Sequence, residues 1–247
     1  MFDRLFYTTC GMFNSVHFFV IVLFFASLWL LLRASRKLNE EKVSKFLLSV
    51  AIFVTVLESI KIAVRINGDE GPDSWVPLYF CSLFIPAVWL AVSPWQNLRT
   101  VGFAYMTMGG IAASVFFIFY PSTALGMYPL FHLSTIHSVI YHLIMCYCGI
   151  LVLQKRLYTP HSRDAISYSM FIIGACILAV IVNKNLGTNC MFLEHPFGLP
   201  FLMKLCDSAK PLYMLVVAAA QSVGMFYVCF GIYSWYRKRA GLAHIHT

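Results

Sequence analysis

Residues 76 to 86 read VPLYFCSLFIP, a thiol between two prolines in an apolar run, with Tyr79 and Ser82 beside it. Lipid contact alone would be served by more leucine, so Cys81 is a candidate nucleophile. A thiol attacks as its thiolate, and an adjacent histidine or partly desolvated cation raises the thiolate fraction. The other groups with chemistry to offer are His17 beside Asn14, Glu58, His137 with Ser134 and Tyr141, and Asn183, each in its own apolar segment. Ionisable and strongly polar side chains are costly in such segments and are functional candidates by default. Each alone has an ordinary explanation. Cys81 is a small hydrophobe, the histidines reach headgroups with their polar tips, Glu58 pairs with Lys61 three residues on, and Lys61 and Arg65 snorkel outward. Packing does not require five segments to bring a polar group to one level.

The segments that position these residues follow from composition. Of 247 residues 60% are hydrophobic and 11% charged, far below the roughly 25% charged of soluble domains, so the chain is an integral membrane protein. The net charge of +8 is spread in short runs between apolar segments, which excludes a basic stripe for nucleic acid. Windows of about 20 residues, enough to cross a hydrocarbon core of roughly 30 Å, fall near 13 to 33, 43 to 65, 76 to 94, 99 to 121, 133 to 154, 165 to 186 and 211 to 236. The pattern predicts an all-α, polytopic membrane helical bundle of seven transmembrane helices, a single transmembrane domain over 1–247. The first window is too long for a signal-peptide core and has its positive charge after it, in RASRKLNEEK, so it is expected to stay in the chain. Twelve of the eighteen Lys and Arg residues, from Arg4 to Arg239, fall in one set of alternate connections. The positive-inside rule then puts the N-terminus outside a cell membrane and the C-terminus in the cytoplasm, with the tail histidines His244 and His246 solvated.

Successive helices run in opposite directions, so positions early in odd spans and late in even ones lie toward one face. At 1.5 Å per residue, His17, Glu58, Cys81, His137 and Asn183 come within about 6 to 10 Å of the outer boundary. His132, His137 and His142 are five apart, a rotation of about 140°, and cannot share a face or a metal ion. His137, with Ser134 one turn back and Tyr141 one turn on, is the one expected to point into the bundle. After the sixth span, KNLGTNCMFLEHPFGLP supplies Asn185 and Asn189 beside Asn183, with Gly187 and Pro196 as breakers; it is an ordinary turn or a lid over the polar layer. Gly109 and Gly110 are expected to let helices approach. Cysteines within the spans should be reduced; Cys10, Cys190 and Cys206 fall on or near the outer side, where a Cys190–Cys206 disulfide is open without a local pattern that calls for it.

Taken in order, NSVHFF around His17, ESIKIAVR with Glu58, VPLYFCSL with Cys81, STIHS with His137 and VNKNLGTNCMFL with Asn183 and Asn189 give the chain a nearly end-to-end resemblance. It resembles the YwaF-like multi-pass membrane proteins, which are related to an animal acyltransferase of ether-phospholipid remodelling. The resemblance implies transfer of an acyl chain between membrane phospholipids through a cysteine acyl intermediate, with Cys81 as nucleophile and His137 as its base and with no cofactor or metal. Asn183 or Asn189 would donate to the oxyanion, Tyr141 would orient His137, and Glu58 would hold charge or orient His17. The chain departs from bacterial members at Tyr79, where histidine is frequent, and at Cys190, where an aromatic is. The rival reading is a small-solute or lipid transporter or binding protein with a shallow polar cavity. Against it stand the absence of an evident inverted repeat and of a charged path to the cytoplasmic side. A zinc site from His17, Cys81, His137 and Glu58 has the ligand types without the spacing.

Overall fold

The computed structural model describes residues 5–68, 70–196 and 200–241, and Arg4, His244 and His246 lie outside them. The architecture is an all-α bundle. Helix α1 spans Ser15–Ala34, α2 Glu40–Asn67, α3 Phe84–Ala91, α4 Gln96–Phe119, α5 Leu133–Gln154, α6 Asp164–Leu186 and α7 Lys210–Arg239. Among the described residues six helices, all but α3, are long and apolar enough to cross a membrane. Their outward faces carry exposed Trp29, Ile52, Ile166, Met170, Leu215 and Val228, apolar surface that water would not tolerate in such quantity.

Local chemistry sets the helix ends. The Asn14 side chain accepts from Val16 N and His17 N at the start of α1, and Asn39 accepts from Lys42 N at the start of α2, where Glu40 and Glu41 also complement the helix dipole. His132 caps α5, its Nδ1 accepting from Ser134 N at 3.2 Å. Gly187, in the left-handed conformation at φ +65°, closes α6.

The third expected span, 76 to 94, differs most from expectation. Its helical part runs only from Cys81 to Ala91, too short to count with the other six. Pro77 has no N–H and holds Val76 extended, with ψ 116°. Pro86, third in α3, cannot donate to the carbonyl of Ser82. The turn before it tightens to a 3₁₀ turn over Cys81–Leu83, closed by the Phe84 N–H on the Cys81 carbonyl. The two prolines therefore leave Cys81 where irregular chain becomes helix.

Close packing fixes this junction in the bundle. A Cβ on Gly102 of α4 would lie 2.4 Å from both the Ala87 carbonyl oxygen and the Ala91 nitrogen, so α3 and α4 touch backbone to backbone. A Cβ on Gly109 would meet the Tyr168 hydroxyl at 2.8 Å and the Phe80 ring at 3.1 Å. Gly109 lies in a π-helical stretch, Tyr105–Gly110, and a second such stretch, Ala220–Gly224, interrupts α7. All eight cysteines are free thiols, Cys190 and Cys206 included.

Candidate functional site

Glu58, Lys61 and Arg65 recur at i, i+3 and i+7 along one face of α2, and Ser134, His137 and Tyr141 do the same along α5. The two faces meet rung by rung. Outermost, Arg65 Nη2 donates to Ser134 Oγ at 2.9 Å while its Nη1 donates to the Ser74 carbonyl at 2.8 Å. One rung in, Glu58 is shared between two bases: Oε1 pairs with Lys61 Nζ, and Oε2 lies 3.2 Å from His137 Nε2. Lys61 thus turns inward to Glu58, its side chain only 17% exposed, instead of running to the surface. The His137 Nε2 is within ion-pair distance of the carboxylate yet out of line for a hydrogen bond, so this buried nitrogen has no aligned partner.

Below that rung the ladder reaches Cys81. The rings of His137 and Tyr141 stack with centroids 5.7 Å apart and planes 13° apart, and the Tyr141 hydroxyl donates to the Cys81 carbonyl at 3.2 Å. From the π-helical stretch of α4, the Tyr105 hydroxyl donates to the carbonyl of Phe80. A third bond, Met191 N–H to the Leu78 carbonyl, measures 3.2 Å. Irregular backbone within an apolar bundle must find partners in the protein, and here two tyrosines from different helices hold the carbonyls on either side of the Cys81 α-carbon. The thiol is partly buried and within electrostatic reach of Lys61 and Glu58. Among the described residues no hydrogen bond joins Cys81 Sγ to His137.

The other expected members of the polar layer do structural work. His17 sits fully inside with Nδ1 accepting the Phe13 N–H at 3.0 Å and Nε2 2.9 Å from the Ile118 carbonyl, so the neutral Nε2–H form fastens α1 to the end of α4. Glu58 pairs with His137, not with His17. Asn183 Oδ1 accepts from Cys190 N at 2.7 Å and Thr188 Oγ1 at 2.8 Å, and its Nδ2 donates to the Cys190 carbonyl at 3.1 Å. Asn189 Oδ1 accepts from Glu194 N and His195 N, and its Nδ2 donates to the His195 carbonyl at 3.0 Å. Both amides fold the loop after α6. His137 is the histidine of α5 expected to point into the bundle, but His142 is buried as well. Its ring stacks on Phe117 at 3.8 Å, and Nδ1 lies 2.7 Å from the Ser138 carbonyl, which lets this face of α5 accept it.

That loop covers the chain leading into Cys81. Cys190, Met191 and Leu193 are buried, the Tyr79 and Phe192 rings lie 5.4 Å apart, and Asn189 N–H donates to Asp73 Oδ1 at 2.6 Å. Met191 and Phe192 have φ of 54° and 55°, strained for residues with side chains. Their carbonyls are held from α7 by Gln221 Nε2 at 2.9 Å and the Tyr213 hydroxyl at 2.5 Å. Outside the loop is a groove of about 510 Å³ lined by Asp73, Asn183, Lys184, Glu194, His195 and Lys210 among others. Among the described residues no three His, Cys, Asp or Glu side chains come together as metal ligands, and His17 stands apart from the Glu58–His137 pair.

Tyr105, Gln221 and Asp73 were not legible as site residues. The first two owe their placement to π-helical stretches, which no sequence periodicity announces. Lys61, within the apolar run SIKIAV, did carry a signal of its own.

Long apolar helices enclosing a buried polar ladder define a polytopic α-helical membrane protein. The chain belongs to the TMEM164 family, whose match covers residues 12–233 and with them the whole ladder. No curated protein and no solved structure matches the chain.

Proposed function

We propose that the protein is a membrane-embedded lipid acyltransferase or acyl-hydrolase working on phospholipids, with Cys81 as nucleophile and His137 as general base. The observation that supports it best is Tyr141, which bonds the clamped Cys81 peptide and stacks on His137, a histidine that faces a buried carboxylate. Glu58 orients His137 through Nε2, and Nδ1 exchanges the proton. His137 takes the thiol proton as Sγ adds to the ester carbonyl carbon of a phospholipid. The tetrahedral adduct collapses, its C–O bond breaks, and the lysophospholipid alkoxide leaves with the proton from the imidazolium. A lysophospholipid hydroxyl, or water, then gives its proton to His137, attacks the thioester and expels the Cys81 thiolate, which takes the proton back. Lys61 keeps the Glu58 carboxylate charged beside His137. Tyr141 holds base and nucleophile in one cluster, while His17, Asn183 and Asn189 support the site by fixing the backbone around it.

In this reading the chain is one transmembrane domain over 1–247 and α3 counts as a seventh span, with the chain from Val76 to Phe80 completing its passage. The N-terminus is outside and the C-terminus cytoplasmic, following the distribution of Lys and Arg. A carrier or binding protein is the second reading, favoured by the charged groove beside α7, a helix interrupted by a π-helical stretch.

The test is acyl transfer from a phospholipid with a labelled chain to a lysophospholipid acceptor in vesicles. The parent is expected to transfer the chain and Cys81→Ser, folded, to lose turnover. Transfer by Cys81→Ser at the parent rate would end the cysteine mechanism. No transfer by the parent from any phospholipid tested, with solute movement across the vesicle wall, would replace it by the carrier.

A further inference from the structure

At the far end of α3 from Cys81, a second groove of about 320 Å³ opens between the first turns of α2, the end of α3 and the start of α4. Its walls carry Lys45 and Ser44 from α2, Ser93 from the turn after α3, and Arg99 from α4. Its floor is apolar, with buried Leu47, Ala91 and Phe103.

We infer that this groove binds the phosphate of an anionic phospholipid. Among the described residues no carboxylate lines it. Lys45 does pair with Glu41 at 2.7 Å, but both side chains are more than two-thirds exposed, at 75% and 72%, and such surface pairs contribute little and yield readily. Arg99 has no ion pair among the described residues, and its guanidinium stands 5.9 Å over the Phe103 ring. The Ser93 hydroxyl accepts from Trp95 N at 3.3 Å and keeps its own proton to donate. Guanidinium, ammonium and hydroxyl donors together match the oxygens of a phosphate, and the charged pairs give the strongest of these bonds.

The surface beside the groove fits the rest of a lipid. Leu48 and Ile52, one turn apart on α2, and Trp89 on α3 are all exposed, at 43%, 51% and 42%. The Trp89 ring is fixed there by a 3.0 Å bond from Nε1 to Thr55 Oγ1. An acyl chain entering from the cationic mouth has this apolar track to lie on. Charge decides the headgroup class: in the groove outside the α6–α7 loop, Asp73 and Glu194 balance Lys184 and Lys210, whereas here the one opposing carboxylate, the exposed Glu41 on Lys45, lies outside the lining. Basic pockets between transmembrane helices favour anionic headgroups for this reason. A lipid held here braces Ala91 to Ser93, the foot of the helix whose head is Cys81. The inference does not depend on the acyltransferase reading.

The experiment is a thermal-unfolding titration of the full chain in nonionic detergent with dioleoyl phosphatidylglycerol, dioleoyl phosphatidylcholine and glycerol 3-phosphate. Phosphatidylglycerol is expected to raise the midpoint saturably while the other two leave it unchanged. Arg99→Gln and Lys45→Gln are each expected to weaken the apparent affinity about tenfold, the scale of one charged hydrogen bond, and the double variant to abolish the shift. Lys184→Gln, in the other groove, should keep the parental response. An equal shift with phosphatidylcholine, or an undiminished phosphatidylglycerol shift in both single variants, would overturn the site. An equal shift with glycerol 3-phosphate would overturn the lipid in favour of a soluble phosphate ester.

Discussion

His137 Nε2 and Glu58 Oε2 face each other at 3.2 Å inside the bundle, and the same carboxylate holds Lys61 through its other oxygen. A carboxylate divided in this way does two jobs. It balances the Lys61 ammonium, and it presents a negative charge to an imidazole whose ring is stacked on Tyr141.

Glu58→Gln separates these jobs. In the proposed mechanism Glu58 orients His137, and losing its charge should lower kcat by about 10²- to 10⁴-fold with little change in KM. It also leaves Lys61 unpaired inside the protein, at a cost on the order of 3–5 kcal/mol. Adding Lys61→Met should restore the thermal midpoint but not kcat. Recovery of both together would make Glu58 purely structural.

Tyr141→Phe keeps the ring stacked on His137 and removes only the bond to the Cys81 carbonyl. Tyr105→Phe likewise frees the Phe80 carbonyl. Each should cost roughly 1–3 kcal/mol, the range for a buried group deprived of its partner. Alkylation of Cys81 by a membrane-permeant thiol reagent should change in rate in both variants, because the peptide that aims the thiol is released. Unchanged stability and reactivity in both would remove the clamp from the account.

Gly102→Ala and Gly174→Ala form a contrast. The first puts a methyl 2.4 Å from backbone atoms of α3, which cannot yield as a side chain would; the second meets nothing within 4 Å. Overpacking typically costs about 1–3 kcal/mol. Thermal midpoints should fall for Gly102→Ala and hold or rise for Gly174→Ala, and equal behaviour would show that α3 and α4 are not in backbone contact.

The orientation is checked with single cysteines at Ser162 and Ser208, both exposed and in different connections, in a background without reactive native thiols. A membrane-impermeant reagent should label them from opposite sides. Labelling of both from one side would refute the crossing of α6 between them.

Much of this was legible in the chain because apolar length and charge asymmetry are strong signals. The window 133 to 154 coincides with α5, and 165 to 186 misses α6 by a single residue at its start. Glu58 and His137 stood out because an ionisable group in an apolar helix needs a counterpart, and the two face each other with Lys61 on the second carboxylate oxygen. The third span was overextended because hydropathy does not register what Pro77 does to the backbone before Cys81. Asn183 and Asn189 read as donors for chemistry because composition cannot say where an amide bonds, and both are taken by their own loop. Tyr105 was missed because its direction depends on a π-helical stretch in α4.

The central claim, that Cys81 becomes acylated, is tested most directly by the intact mass of the purified protein after incubation with phospholipid vesicles. The expected result is a mass increase of one acyl group, released by hydroxylamine as a thioester would be, mapped to Cys81 and absent in Cys81→Ser. It should accumulate when no acceptor is supplied. An unmodified parent under those conditions, or an adduct of the same yield in Cys81→Ser, would contradict the account.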